Sequence, residues 1–77
     1  MKFKKLEVVV LRQDLPESGL RAGDLGTVVA LYPPDGIEVE FVRGSGETQA
    51  LLTLTENDLR KIDSHDLLST RRLAKVS

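Results

Sequence analysis

The segment Leu20–Val29 constrains the fold of this 77-residue chain more than any other. It contains the run Gly23-Asp24-Leu25-Gly26, with two glycines three residues apart, and then changes abruptly to β-branched residues. Glycine adopts backbone angles that other residues resist, so this spacing is typical of a turn or bulge that opens a strand. The residues that follow are strong strand formers. We therefore predict a strand over Asp24–Tyr32, with a positive φ at Gly26.

Alternation and turn residues divide the rest of the chain into four further strands. Residues Ile37–Phe41 alternate apolar and acidic side chains, which predicts a strand with one buried and one solvated face. Proline, aspartate and glycine mark turns at Pro33–Gly36 and Gly44–Gly46. One helical turn, capped by Thr55, precedes the last strand. The predicted strands are Leu6–Leu11, Asp24–Tyr32, Ile37–Phe41, Glu47–Leu54 and Leu59–Ile62.

This order of strands predicts an all-β fold, a single five-stranded SH3-like barrel over residues 1–62. Closing the sheet suits so short a chain because closure limits exposed strand edges. In the long first loop, Arg12–Gly23, the side chains of Leu15 and Leu20 are expected to pin the loop onto the barrel. Residues 63–77 form a C-terminal tail without a clean period, either a frayed helix over Asp66–Lys75 or disordered.

Several separated blocks of the sequence resemble one family. They are the run from Asp14 to Val29, Tyr32-Pro33, Val39-Glu40-Phe41 and Ala50–Leu54. Together they resemble an uncharacterised family of short, stand-alone bacterial proteins, common in cyanobacteria, that is classed as a domain of unknown function. The resemblance spans roughly residues 6–62. It implies an SH3-like barrel in the cytoplasm and carries no activity with it.

The composition of the chain argues against several kinds of site and several classes of protein. The chain has no cysteine, so it forms neither disulfides nor thiolate metal sites, and this favours a reducing, cytoplasmic setting. It contains no uninterrupted apolar stretch of about 18 residues, the length that a membrane helix needs, so no membrane association is predicted. The net charge is −1, from 11 basic and 12 acidic residues, whereas general nucleic-acid binders carry a basic excess.

Candidate catalytic and metal-binding residues are few. The single histidine, His65, lies beside Asp63 and Asp66 in the tail, but neighbours in sequence rarely converge on a catalytic or metal site. Glu38 and Glu40 share one strand face, but that face is predicted to be solvated and to lack a pocket. We therefore predict that the protein is not an enzyme and has no catalytic residues, metal site or cofactor.

Protein binding is the function that these exclusions favour. We predict a non-catalytic adaptor or accessory subunit, with the long loop Arg12–Gly23 and the turn Pro33–Gly36 at one end of the barrel. If the tail orders on binding, Leu67, Leu68 and Leu73 are its expected anchors. The predicted contact residues are Leu15, Leu20, Tyr32, Asp35 and Arg43.

The alternative is an RNA- or ribosome-associated barrel. Binding of single-stranded RNA uses aromatic side chains between basic residues, and this chain has three aromatic residues, Phe3, Tyr32 and Phe41. Composition therefore ranks nucleic acid below another protein as a partner. The sequence leaves the partner unidentified, and the expected state of the protein is a monomer or a weak homodimer.

Overall fold

The chain forms one five-stranded antiparallel sheet in the computed structural model, which describes residues 1–73. The strands are β1 (Val8–Leu11), β2 (Leu25–Tyr32), β3 (Gly36–Val42), β4 (Thr48–Thr55) and β5 (Leu59–Lys61). Their order across the sheet is β4-β3-β2-β1-β5. The predicted all-β fold with five strands is confirmed, and the strand boundaries shift by one or two residues at most.

Two short 3₁₀ turns complete the architecture. One, at Pro16–Ser18, lies within the long loop, and the other, at Glu56–Asp58, connects β4 to β5. The second is the helical turn expected from the sequence. The backbone N–H of Thr55 donates to the Asp58 carboxylate at 2.9 Å, and the Thr55 hydroxyl donates to the same oxygen at 3.1 Å. These bonds give the backbone N–H and the hydroxyl of Thr55 a hydrogen-bond acceptor at the point where the chain turns towards β5.

The inner face of the sheet carries the core. Alternation in β3 turns its apolar residues inward and leaves Glu38 and Glu40 on the other side, as the sequence predicts. All five strands, the long loop and the N-terminal segment contribute to a single cluster. Its members are Phe3, Val9, Leu11, Leu20, Val28, Ile37, Val39, Phe41, Leu54 and Leu59. All five strands therefore contribute to one common core.

Gly26 is required for a reason other than the one predicted. The positive φ expected there is wrong, since the left-handed angle in this turn belongs to Gly23, with φ 97°. A Cβ atom on Gly26 would instead lie 2.5 Å from Cγ1 of Val39 and 2.9 Å from Cε1 of Phe41. Gly26 therefore lets β2 approach the side chains of β3 more closely than any other residue would permit.

The sheet ends in two edge strands, β4 and β5. Within residues 1–73 no strand pairing joins these two edges, so the closure expected of a barrel is not observed. Among the same residues, no helix is both long and apolar enough to cross a membrane.

The described part of the tail, residues 63–73, follows β5 without regular secondary structure. The helix proposed for Asp66–Lys75 is absent from its described part, residues 66–73, and the remaining positions lie outside the described residues. The tail nevertheless makes specific side-chain contacts with the sheet and with the long loop, as described below.

Candidate functional site

A groove of about 620 Å³ lies between the tail and the outer face of the sheet. One wall is the tail segment 69–73, and the other is formed by the first three strands and the β3–β4 hairpin. Apolar side chains on the sheet side come from Val8, Leu25 and Val42. Val8 is 42% exposed and Val42 is 57% exposed, so this surface is open to a ligand. We call it the outer-face groove.

The apolar surface of this groove follows from the composition of β1. All four of its residues are aliphatic, so its outward positions are apolar as well as its inward ones. Val8 pairs with Thr27 and Val10 pairs with Leu25, and paired residues in an antiparallel sheet share a face. Outward apolar side chains therefore continue from β1 to β2. Val10 itself is buried, so the exposed apolar residues on these two strands are Val8 and Leu25. Exposed apolar surface is characteristic of interaction sites.

A bidentate ion pair holds the tail against this face. Arg71 donates from Nη2 to one carboxylate oxygen of Asp24 at 2.6 Å and from Nε to the other at 2.9 Å. It also donates to the carbonyl oxygen of Gly19 at 3.0 Å. Asp24 is itself held by the backbone N–H of Arg21 at 2.8 Å. The tail is thereby fixed to the turn that opens β2.

The electrostatics of this pair favour its charged form. Partial burial by itself would raise the pKa of Asp24, but the hydrogen bonds from Arg71 and from the Arg21 backbone outweigh burial and lower that pKa below its ordinary value. The hydrogen bond to Asp24 raises the pKa of Arg71. Asp24 and Arg71 therefore both remain charged at neutral pH.

A second ion pair holds the tail nearer to β5. Arg60 donates to the two carboxylate oxygens of Asp66 at 2.8 and 3.0 Å, and the backbone N–H of Asp63 donates to one of them at 2.6 Å. These hydrogen bonds, that from Arg60 first, lower the pKa of Asp66 to about 2. The tail is thus attached at two points, Asp66 and Arg71, and the segment that lines the groove, residues 69–73, follows Asp66 and contains Arg71.

The charged side chains of the groove are mostly arginines. Arg43, Arg71 and Arg72 line it together with Asp24 and Glu40. Asp24 is neutralised by Arg71, which leaves Arg43 and Arg72 against a single carboxylate. The charged side chains that line the groove therefore carry a formal excess of one positive charge, although the chain as a whole carries a net charge of −1.

Arg43 is oriented by a relay that reaches the long loop. Its Nε atom donates to Oε1 of Gln49 at 2.8 Å, and Nε2 of Gln49 donates to the carbonyl oxygen of Ser18 at 3.1 Å. A side chain held in this way loses less conformational freedom when it binds a partner. Arg43 is the predicted contact residue that the structure places on an open part of the groove.

The other predicted contact residues are dispersed: Leu20 also lines the groove, whereas Leu15, Tyr32 and Asp35 lie outside it. The long loop precedes β2, whereas the turn with Tyr32 and Asp35 follows it, and β2 is eight residues long. Extended strands rise about 3.3 Å per residue, so roughly 23 Å separates the two ends. The prediction that this loop and this turn share one end of the sheet is therefore wrong. Tyr32 and Asp35 lie far from Arg43.

Leu15 and Leu20 pin the long loop, as expected. Each backbone N–H donates to the other residue's carbonyl oxygen, at 3.0 and 3.1 Å. Leu20 is only 4% exposed and belongs to the core, while Leu15 is partly buried against it. Both side chains are thus engaged within the protein, and their predicted contact with a partner stays a prediction.

Sequence reasoning missed Val8, Val42, Asp24 and Arg71 as site residues. A signal for Val8 existed, because a strand that is apolar on both faces must turn some of those side chains outward. No local signal joined Arg71 to Asp24, which is 47 positions earlier. Of the predicted tail anchors, Leu73 lines the groove, whereas Leu67 and Leu68 are exposed.

The candidate metal cluster in the tail is open to solvent. Nδ1 of His65 lies 3.4 Å from Oδ1 of Asp63, and both side chains are largely exposed. Within residues 1–73 no group of three or more histidine, cysteine, aspartate or glutamate side chains has a metal-binding arrangement.

Comparison with known proteins places the sequence in a family. The family model described as "Domain of unknown function (DUF4926)" matches residues 5–61, which span the whole sheet. The chain belongs to this family. Neither the curated proteins nor the solved structures contain a match. The family match covers β1 to β5 and ends where the tail begins, so the tail side of the groove lies outside the family region.

Proposed function

We propose that this protein is a non-catalytic protein-binding module, an adaptor or accessory subunit, that accepts an extended segment of another protein in the outer-face groove. The observation that carries the proposal is the open apolar surface of Val8, Leu25 and Val42 beneath the tethered tail. A groove with an apolar floor and a few polar groups at its rim is typical of ligand sites. An extended peptide matches its shape better than a globular surface does, because the tail forms one wall.

The charges of the groove define the segment that it accepts. Arg43 and Arg72 lie at its rim, and Arg43 is already oriented by Gln49. Arginine binds carboxylates through paired hydrogen bonds. The preferred ligand is therefore an apolar peptide that carries at least one aspartate or glutamate, with its aliphatic residues on Val8 and Val42.

We also infer that the sheet curves as an SH3-like barrel does. The strand order, the 3₁₀ turn between β4 and β5 and the single core shared by all strands support this assignment. The absence of cysteine supports a cytoplasmic setting.

RNA binding is the second candidate, supported by the arginines at the groove. Sequence-tolerant RNA binding also needs exposed aromatic side chains on which bases stack. Phe3 and Phe41 are buried, and Tyr32 is at the opposite end of β2 from Arg43. A protein segment therefore fits this surface better than RNA does.

Selection from a random peptide library, followed by fluorescence anisotropy with the most enriched peptide, tests the proposal. We expect enrichment of apolar peptides with an acidic residue. Val42→Asp and Arg43→Ala should each weaken binding by about tenfold, equivalent to roughly 1.4 kcal/mol. Tyr32→Ala, a matched change at the far end of β2, should leave the affinity unchanged.

Failure to enrich any peptide would contradict the proposal, as would loss of binding in Tyr32→Ala but not in Val42→Asp. The same anisotropy assay with a mixed RNA pool tests the alternative, since RNA binding should weaken steeply as salt concentration rises. Circular dichroism of each variant separates lost binding from lost folding.

A further inference from the structure

The β4 strand is a long, open edge of the sheet. It covers Thr48–Thr55, pairs with β3 on one side, and has no neighbouring strand on its other side among residues 1–73. Its sequence, TQALLTLT, contains no charged residue, no proline and no glycine. An edge strand exposes a row of backbone N–H and C=O groups that can pair with another strand, and charges, prolines or short length normally prevent this. None of these three features is present in β4, and its register shift against β3, where Gln49 is the extra residue, lies near its start and leaves residues 50–55 regular.

We propose that β4 pairs antiparallel with β4 of a second copy of this chain, which joins two five-stranded sheets into one continuous sheet. The argument for a second copy rests on symmetry. In a two-fold interface each strand faces itself, so a charge near the axis would meet its own like charge and repel it. Eight consecutive uncharged residues satisfy this requirement, whereas an acidic or basic partner strand would gain nothing from them.

The faces of the sheet fix the possible registers. Directly opposed residues in an antiparallel pair lie on the same face, so the two-fold axis must pass through a residue. Leu51 is near the middle of β4, pairs with the outward residue Glu40 and is 54% exposed. An axis at Leu51 brings the two Leu51 side chains together and buries both. The apolar area lost from water then contributes to dimer stability.

The same axis also extends the core. It sets Ala50 of one copy opposite Leu52 of the other. Both residues are only partly buried, and both pack against the core from the edge of the sheet. In the dimer they would cover each other on the inner face, while the Leu51 pair does so on the outer face. This interface adjoins the outer-face groove at Gln49, which belongs to β4 and lines the groove, but it does not depend on the function proposed for the groove.

Single-cysteine cross-linking tests this arrangement directly, because the chain has no cysteine of its own. Opposed Cα atoms in an antiparallel pair are about 4.5–5.5 Å apart, within the range that a disulfide spans. Leu51→Cys should therefore form a disulfide dimer rapidly under mild oxidation. Thr53→Cys should not, because the two copies of residue 53 would be about 13 Å apart. Glu38→Cys, on the same face in β3, is the control for random collision.

Reversible association provides a second measurement. Sedimentation equilibrium of the unmodified chain should show a concentration-dependent dimer. Leu51→Lys should weaken dimerisation by at least about tenfold, because two ammonium groups would face each other across the axis. Glu38→Lys introduces a lysine on the same outward face, but in β3 and away from the edge, so it should leave dimerisation unchanged. Circular dichroism confirms that each variant is folded.

A monomer at all concentrations up to about 1 mM, a range in which even a weak dimer forms, would overturn the proposal. Equal cross-linking of Leu51→Cys and Glu38→Cys would also overturn it. Faster cross-linking of Leu52→Cys than of Leu51→Cys would overturn the axis at Leu51.

Discussion

The two edges of the sheet are built in opposite ways. β5 has three residues, two of them charged, and each of these charges is paired: Arg60 with Asp66 and Lys61 with Glu7, both at 2.8 Å. β4 has eight residues and no charge. Proteins normally protect an edge by making it short and charged, which β5 is. The contrast indicates that the short length and the charges of β5 oppose pairing with a strand of another chain, whereas β4 remains available for such pairing.

The protection of β5 comes from both ends of the described chain. On one side the tail supplies Asp66. On the other, Lys61 donates to Glu7 and its Nζ atom lies 5.2 Å from the centre of the Phe3 ring. The hydrogen bond from Lys61 is the largest influence on Glu7 and lowers its pKa. The N-terminal segment and the tail thus enclose a strand that is too short to be stable alone.

The largest expected effect on stability is that of Phe3→Ala, which removes a core side chain next to the protected edge strand, β5. Phe3 is 1% exposed and belongs to the core, although it precedes the first strand. Removing a buried phenylalanine side chain costs about 4 kcal/mol of unfolding free energy. Urea denaturation should show this loss. Hydrogen exchange should show that the amides of β5 lose more protection than those of β4.

Tyr32→Ala is the control for Phe3→Ala, because it removes an aromatic ring that is half exposed. It should cost less than about 1 kcal/mol, in the range of surface substitutions. If Phe3→Ala were no more costly than Tyr32→Ala, the N-terminal segment would not be part of the core in solution.

A somewhat smaller loss of stability is expected for Gly26→Val, which disturbs the contact between β2 and β3 in the middle of the sheet. The first atom of the new side chain would lie 2.5 Å from Cγ1 of Val39, so β2 and β3 would have to separate. Overpacking of this kind costs about 1–3 kcal/mol, and we expect the upper end because a β-branched side chain is introduced. Chemical denaturation measures the loss in unfolding free energy.

Gly44→Ala is the matched control, since a Cβ there meets nothing within 4 Å. It should leave stability within about 0.5 kcal/mol of the unmodified chain. Equal stability of Gly26→Val and Gly44→Ala would show that the close approach of β2 to β3 is not required.

Gly26 also illustrates what the sequence alone can predict. The strands were predictable because alternation and turn chemistry are local, and the apolar–acidic alternation of Ile37–Phe41 survives unchanged in β3. The need for a glycine at position 26 was predictable too. Its cause was not, because the atoms that exclude a side chain belong to Val39 and Phe41 on the next strand.

The candidate site was less predictable than the fold for the same reason. Arg43 was found, since its residue type is common in interfaces. The prediction that Arg43 and Tyr32 belong to one contact surface failed, because the two residues lie at opposite ends of the sheet, separated by the length of β2. The position of the tail depends on Arg71 meeting Asp24, 47 residues away, and no pattern in the tail indicates that contact. Ion pairs between residues that are far apart in the sequence produce no periodic pattern from which they could be predicted.

The smallest expected effect sharpens the comparison by removing one protecting ion pair from β5. In Arg60→Gln the carboxylate of Asp66 loses the hydrogen bonds that contribute most to its low pKa, so its pKa should rise from about 2 towards the ordinary value near 3.8. The bond from the Asp63 backbone remains and should keep it somewhat below that value. Carboxyl NMR titration measures this shift, and Arg72→Gln, a neighbouring tail substitution, should not reproduce it.

The sign of the linkage gives Arg60→Gln a second readout. A folded-state pKa below the unfolded one contributes stability that is present above the unfolded pKa and is lost as pH falls through the folded pKa. For Asp66 that window runs from about 3.8 down to about 2. The unmodified chain should therefore keep its tail attached to β5 at pH 3, whereas Arg60→Gln should release it there. Unchanged tail resonances of Arg60→Gln at pH 3 would mean that this ion pair does not hold the tail over β5, and the contrast between the two edges would then rest on strand length and charge alone.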